Sequence, residues 1–189
     1  LQEVTTIHTE TTTRMQRMRS WLLEYGFLGL EISIGDTPAC SMLEVWEDVD
    51  EARPGNFVFY DLTQMTIGSC SAADVGFVVA CPVVAVHPER NEIVLYGGAV
   101  HLSKEMLTYA DGTPGGTPSY GAVVWLQDGG WSEPIAGAWL RSLSQEHGVV
   151  HATQPVWDRG LGSVQVGDLL GVLPVHSCLT ADLLKEYRT

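Results

Sequence analysis

Residues 76–86, Gly-Phe-Val-Val-Ala-Cys-Pro-Val-Val-Ala-Val, run through His87-Pro88-Glu89-Arg90-Asn91 into Glu92-Ile93-Val94-Leu95-Tyr96-Gly97-Gly98. Two short runs rich in β-branched and aromatic residues, separated by a turn-forming stretch, read as strands. The pattern continues downstream. Tyr120–Gln127, Ala136–Ser144, Gly148–Gln154 and Val166–Ser177 are similar runs, and Phe57–Asp61 is one upstream. Turn signals fall between them, at Arg53-Pro54-Gly55 and in the glycine-rich stretch from Asp111 to Ser119, which reads as a flexible surface excursion. Short strands at this spacing predict an antiparallel barrel or sandwich, so the chain is expected to be mainly β. A short helix from Ala181 to Tyr187 is expected to close it.

Ahead of about Arg53 the pattern changes. Met15, Met18, Trp21, Leu22 and Tyr25 recur close to helical spacing, which predicts a helix from about Thr12 to Tyr25. Threonines ahead of it are candidate caps and Gly26 a candidate stop. Gly29–Gly35 then reads as a strand and Gly35-Asp36-Thr37-Pro38 as a turn. A helix followed by a strand is an α/β fragment, and a lone unit of this kind cannot cover both faces of its strand. Residues 1–45 are therefore expected to be the tail of a larger α/β domain, with 46–189 the β domain. The chain begins without Met, which fits a C-terminal piece of a longer protein.

Composition bounds the function classes. The chain has 189 residues, a net charge of −13, 45% apolar residues and 17% charged ones, a folding composition. Such acidity repels phosphate backbones and anionic bilayers, so neither nucleic acid nor membrane is an expected partner. No apolar run approaches the roughly 20 residues of a spanning helix. Cys40, Cys70, Cys81 and Cys178 are scattered singly, which reads as reduced thiols and a cytoplasmic protein. The first three read as small buried apolar residues.

Two local patterns offer chemistry. In Val175-His176-Ser177-Cys178, residues two apart in an extended chain project to the same side. An imidazole and a thiolate so placed suit zinc, with positions left over for water or substrate. The same residues also read as a buried His beside a buried Cys. In Ser33-Ile34-Gly35-Asp36-Thr37-Pro38, hydroxyls and backbone N–H groups at a strand's C-terminal end suit an anion, though an ordinary turn has this sequence too. Three further groups stand out without specifying a reaction. They are Glu146-His147-Gly148 with His151, the paired glycines of Tyr96–Lys104, and Tyr60-Asp61 with Gln64 and Gly68-Ser69-Cys70.

Taken in order, Arg53–Asp61, Gln64 with Gly68–Cys70, Tyr96–Lys104, Ser142–Gly148 and Val164–Cys178 resemble the C-terminal half of the D-serine dehydratase / D-threonine aldolase family. The resemblance implies a pyridoxal-phosphate enzyme with a zinc ion, built like alanine racemase from a (β/α)8 barrel and a C-terminal β domain. It makes Glu31–Pro38 the end of a late barrel strand, with Ser33, Gly35 and Thr37 holding the cofactor phosphate and Asp36 a departure from the usual small residue. It makes His176 and Cys178 the zinc ligands, the Cys pointing to the dehydratase branch. The family's Schiff-base lysine lies on the first barrel strand. Neither Lys104 nor Lys185 occupies that place, so the chain alone is expected to be inactive. For the whole protein the resemblance implies a homodimer that removes water and ammonia from a D-β-hydroxy amino acid such as D-serine. An aldolase or racemase of the same fold, or a non-catalytic β-barrel module, remains open.

Overall fold

A 23-residue helix, α1 (Gln2–Glu24), opens the chain. It starts ten residues ahead of the expected Thr12, because the threonines are not caps. Thr5, Thr6, Thr9 and Thr12 lie within the helix, and each hydroxyl donates to the carbonyl four residues back at 2.9–3.0 Å. The expected stop holds. Gly26 adopts φ +86°, its N–H donates to Leu23 O and that of Phe27 to Leu22 O, which satisfies carbonyls of the last turn.

Strand β1 (Ser33–Ile34) leads into a short helix, α2 (Thr37–Met42), where the sequence suggested only a turn. Asp36 is its N-cap, accepting from Ala39 N at 2.8 Å, and Pro38 sits in the first turn where no N–H is missed. Strand β2 (Glu51–Ala52) pairs with β1 in parallel, Ser33 opposite Glu51 and Ile34 opposite Ala52. The α/β unit thus shares its pairing with residues beyond 45. The anchor is Ile32, whose carbonyl accepts from the N–H groups of Asp50 and Glu51.

Residues 57–59 form a turn rather than the expected strand. Tyr60 N donates to Asn56 O at 2.8 Å, and Tyr60 itself takes a left-handed φ of +50°. Helix α3 (Leu62–Ile67) follows, capped by Asp61 and ended by Gly68 at φ +87°.

The strands beyond are β3 (Val79–His87), β4 (Glu92–Tyr96), β5 (Leu107–Thr108), β6 (Pro118–Ser119), β7 (Gly121–Val124), β8 (Leu126–Gln127), β9 (Gly130–Trp131), β10 (Ala138–Leu143), β11 (His147–Ala152) and β12 (Leu169–Pro174). Six of them close an antiparallel barrel in the order β10-β11-β4-β3-β12-β7, with β7 returning to β10. The expected mainly β class is realised as a barrel. The turn at His87–Asn91 joins β3 to β4, with Asn91 left-handed at φ +53°. Helix α4 (Ala99–Leu102) follows β4, α5 (Gln154–Asp158) follows β11, and α6 (Ser177–Leu184) follows β12.

The structure, a computed structural model, describes residues 1–44, 46–108 and 118–184. Most of the excursion from Asp111 to Ser119 and the end of the closing helix, expected to reach Tyr187, lie outside them. Among the described residues, no helix is long and apolar enough to cross a membrane.

Alternation along each strand divides the apolar residues between two cores. Val79, Cys81, Val83, Ile93, Leu95, Leu140, Val150, Leu170 and Val172 fill the barrel, with Leu102 of α4 and Ala181 of α6 packed in. On the outer side, Val124, Leu173 and Val175 meet Leu62 and Val75. This second core holds the 56–75 segment across β12 and β7. It brings Asp61 to the end of β12, where the chain turns into α6.

Candidate functional site

His176 and Cys178 do not sit on an extended strand. β12 stops at Pro174, and His176 closes the first turn of α6, its carbonyl accepting from Thr180 N at 3.2 Å and from Thr180 Oγ1 at 3.0 Å. The pair therefore lies on a strand-to-helix turn with Ser177 between them. Strand alternation is replaced there by hydrogen bonds that pull Ser177 inward.

Those bonds come from the 56–61 turn. Asp61 is 1% exposed and Ser177 fully buried. One carboxylate oxygen of Asp61 accepts from Gln64 N at 3.0 Å. The other accepts from Ser177 N at 3.0 Å and from the Asn56 side-chain amide. The Ser177 hydroxyl donates to Asn56 Oδ1 at 2.6 Å. A single buried carboxylate thus serves the N-terminal ends of both α3 and α6, where negative charge is favoured.

The flanking side chains remain at the surface. His176 Nδ1 lies 2.9 Å from Glu105 Oε2, which holds the ring in one orientation and leaves Nε2 available. Cys178 Sγ sits 3.7 Å from Gly55 O and 3.6 Å from Asn56 Oδ1. An imidazole and a thiol suit a zinc ion, and a carboxylate behind the imidazole is the usual outer partner of such a ligand. Among the described residues, no group of three His, Cys, Asp or Glu side chains converges on one point. Two protein donors leave coordination positions open to a substrate.

The anion loop lies across the 56–61 turn from these residues. Asn56 N donates to Thr37 Oγ1 at 3.1 Å, and Tyr60 Oη lies 2.9 Å from Ser41 Oγ. Ser33 Oγ donates to the Glu51 carboxylate and accepts from Arg53 Nε at 2.6 Å. The Ser33 hydroxyl, and next the Arg53 guanidinium, hold the Glu51 carboxyl below its usual range. Gly35 is required by close approach, since a Cβ there would meet Arg53 O at 2.7 Å. The loop opens on a cavity of about 740 Å³ lined by Ser33, Gly35, Asp36 and Pro38 and by Val4, Ile7 and Thr11 of α1. That volume suits a cofactor-sized molecule. Thr37 is buried, accepts from Asn56 N and does not line the cavity, whereas Ser33 lines it but would have to release Glu51 to donate to an anion. The Asp36 carboxylate is engaged as the helix cap, which is the work its departure from a small residue performs.

The remaining candidates are structural. Gly97 and Gly98 let the 96–104 segment lie against 144–147, and a Cβ on Gly98 would meet His147 N at 2.5 Å. Gly97 N, Ala99 N and Val100 N donate to the carbonyls of Glu146, Ser144 and Gln145. Glu146 and His147 are exposed, so they form no enclosed acid–base pair. His151 packs against Trp139 on the neighbouring strand, ring centroids 5.0 Å apart. Cys81 is fully buried, and burial pushes its thiol up to about 12. Burial, then Asp74 and Asp61, push Cys70 up to about 11, and no two cysteines are joined. Sequence reading named neither Asn56 nor Glu105 for its role, because both act through contacts distant in the chain.

Comparison with known proteins places the chain among dehydratases and alanine-racemase-like folds. The chain is 31% identical over 162 residues to D-serine dehydratase of Dictyostelium discoideum, covering 82% of this chain and 38% of that protein. It is 27% identical over 158 residues to D-threo-3-hydroxyaspartate dehydratase of Delftia sp. (strain HT23), covering 83% and 40%. The chain therefore spans about two fifths of the length of these curated relatives. Among solved structures, an alanine-racemase-like protein from Idiomarina loihiensis superposes with a TM-score of 0.71 at 29% identity, covering 87% of this chain and 42% of that one. A histidine-to-alanine mutant of D-threo-3-hydroxyaspartate dehydratase matches with a TM-score of 0.77 at 23% identity, covering 96% and 45%. A cysteine-to-alanine mutant of a dehydratase of that name, two positions further along and in the metal-free form, matches with a TM-score of 0.67 at 25% identity, covering 86% and 41%. The profile of the serine dehydratase domain family matches residues 76–189. By that match, over more than half its length, the chain belongs to the serine dehydratase domain family.

Proposed function

We propose that the whole protein is a zinc- and pyridoxal-phosphate-dependent lyase. It removes water and ammonia from a D-β-hydroxy amino acid such as D-serine, as a cytoplasmic homodimer. This chain supplies the metal turn and the phosphate loop, while the Schiff-base lysine is contributed from outside it. The observation that carries the reading is the His176-Ser177-Cys178 turn, with both outer side chains partly exposed around a buried, bonded Ser177. The solved dehydratase mutants with His and Cys replaced two positions apart, one of them metal-free, support the same assignment.

Bound pyridoxal phosphate supplies an electron sink for a carbanion, and bound zinc a Lewis acid for the hydroxyl that leaves. The residues of this chain prepare both. Glu105 holds the His176 ring so that Nε2 faces outward as a ligand. Cys178 completes a protein pair that leaves room for the substrate oxygen. Thr37 Oγ1, fixed by Asn56 N, would hold the phosphate together with Ser33 and Gly35 of the same loop. Gly35 lets the loop lie against the Arg53 carbonyl, and Ser33 would hold the phosphate once released from Glu51.

The test is made on the whole protein, with His176→Ala and Cys178→Ala variants. Zinc content is expected to fall to background in both, and release of keto acid from D-serine to stop. Unchanged zinc stoichiometry in both variants overturns the reading.

A further inference from the structure

Among the described residues, a fully bonded polar cluster lies outside the groups expected to touch metal or cofactor. Asn56, Asp61 and Ser177 are all buried, and each side-chain oxygen and nitrogen of the three has a partner. A buried carboxylate with no cation in contact is costly unless its hydrogen bonds are complete. Here they are, and three donors spend themselves on Asp61: Gln64 N, Ser177 N and the Asn56 amide.

What distinguishes Asn56 is the number of places it reaches. Its amide nitrogen donates to Asp61. Its Oδ1 accepts from Ser177 Oγ at 2.6 Å, with Cys178 Sγ at 3.6 Å. Its backbone N–H holds Thr37 Oγ1 at 3.1 Å, and its carbonyl accepts from Tyr60 N at 2.8 Å. Tyr60 is left-handed at φ +50°, a conformation a bulky residue adopts only where its surroundings impose it. That turn delivers Asp61 beneath Ser177. An unfavourable backbone angle beside a fully bonded buried cluster marks a geometry fixed for more than packing.

We infer that Asn56, seated on Asp61, is the positioning residue for the metal turn: it fixes Ser177 and thereby the spacing of His176 and Cys178. The inference rests on the assignment of His176 and Cys178 as metal ligands. With Ser177 held by Asn56 and Asp61 and the His176 ring by Glu105, the backbone between the two donors is fixed before metal entry, which lowers the ordering cost of binding. Outer-shell contacts of this kind are worth about 10- to 100-fold in metal affinity.

The test uses the whole protein, stripped of metal and titrated with cobalt(II) in competition with a chromophoric chelator. The temperature is held well below the melting of every variant. Asn56→Ala is expected to weaken cobalt binding about 10- to 100-fold and to change the sulfur-to-cobalt absorption band. Ser177→Ala, which removes one hydroxyl and leaves the fold intact, is expected to act in the same direction by less. A purely structural role lowers the melting temperature and leaves affinity and spectrum alone. Cys178→Ala is the reference. If it loses cobalt while Asn56→Ala and Ser177→Ala keep wild-type affinity and spectrum, the inference falls and the ligand assignment stands. If Cys178→Ala binds cobalt as wild type, the ligand assignment itself falls. Where Asn56→Ala does not fold, Ser177→Ala decides.

Discussion

The barrel and the segment ahead of it, residues 1–52, treat their apolar residues in opposite ways. Along the barrel strands, Cys81, Ile93, Leu95, Leu140, Val150, Leu170 and Val172 are fully buried. Along α1 and just beyond it, Ile7, Met18, Trp21, Tyr25, Phe27 and Leu28 stand in solvent. Apart from the buried Ile32, Ile34 and Ala39, the N-terminal segment is tied down by polar contacts: Gln16 to Asp48 at 2.8 Å, Arg19 to Asp50 at 3.0 Å, and Ile32 N to Asp50 at 2.7 Å. Exposed bonds of that type contribute little each, whereas a buried aliphatic side chain contributes roughly 1.5–3 kcal/mol. The barrel is therefore the part whose own residues account for its stability. The candidate site lies at the seam, where the 56–61 turn leaves the weaker part and lies against the stronger.

Three substitution or titration experiments press on this contrast. The largest effect is expected inside the barrel. Leu140→Ala should cost about 2–5 kcal/mol in urea unfolding of the chain, and Met18→Ala within about 0.5 kcal/mol. Comparable losses at the two positions would break the contrast. Next comes a pair of glycines. A Cβ on Gly97 would meet Cys81 Sγ at 2.5 Å in the barrel, whereas Gly26 has nothing nearby and only a φ of +86° to satisfy. Gly97→Ala is expected to cost about 1–3 kcal/mol and Gly26→Ala about 1 kcal/mol, as differences in denaturation midpoint.

The smallest effect concerns thiols. Burial raises Cys81 from 9.0 to about 12, so the native state keeps its proton where the unfolded chain loses it. Its contribution is fully present below pH 9 and is lost as pH rises towards about 12. Between pH 9 and pH 10 this should remove about 1 kcal/mol, a share of the slope missing from Cys81→Ala. Cys40, in the N-terminal part, is raised by burial first and by Asp36 second, and is less deeply placed. Alkylation of the native protein at pH 8 should label Cys178 and spare Cys81. Labelling of Cys81 as fast as Cys178 would show the barrel core to be open.

Legibility in the sequence followed the same division. The barrel strands were readable because alternation is set by neighbours in the chain: Glu92–Tyr96 and Leu169–Pro174 fall within the runs named from sequence. Around the site the reading was poorer. Phe57-Val58-Phe59 looks like a strand, yet Val58 is 79% exposed, because the bond from Tyr60 N to Asn56 O closes a turn there. His176 and Cys178 were identifiable as a pair, but their strand-like geometry was not realised, since Asp61, more than a hundred residues earlier, draws Ser177 inward. Asn56 was invisible for the same reason: its contacts to Ser177 and Cys178 are recognisable only once β12 and the 56–61 turn are side by side. Thr5, Thr6 and Thr9 misled in another way, as residues that favour caps but also bond back within a helix.

Closure of the barrel carries a consequence for how copies of such a protein can meet. Among the described residues the six strands close on themselves, β7 meeting β10 at Trp139 and Ala122, which leaves little free sheet edge to a neighbour. A closed barrel disfavours extension of that sheet by a strand of a second molecule. Any partner of the barrel must be recognised through side chains and connecting loops, surfaces that vary by single substitutions without disturbing the hydrogen-bonded frame. Such surfaces lie apart from the Asn56–Asp61–Ser177 support beneath the His176–Cys178 turn.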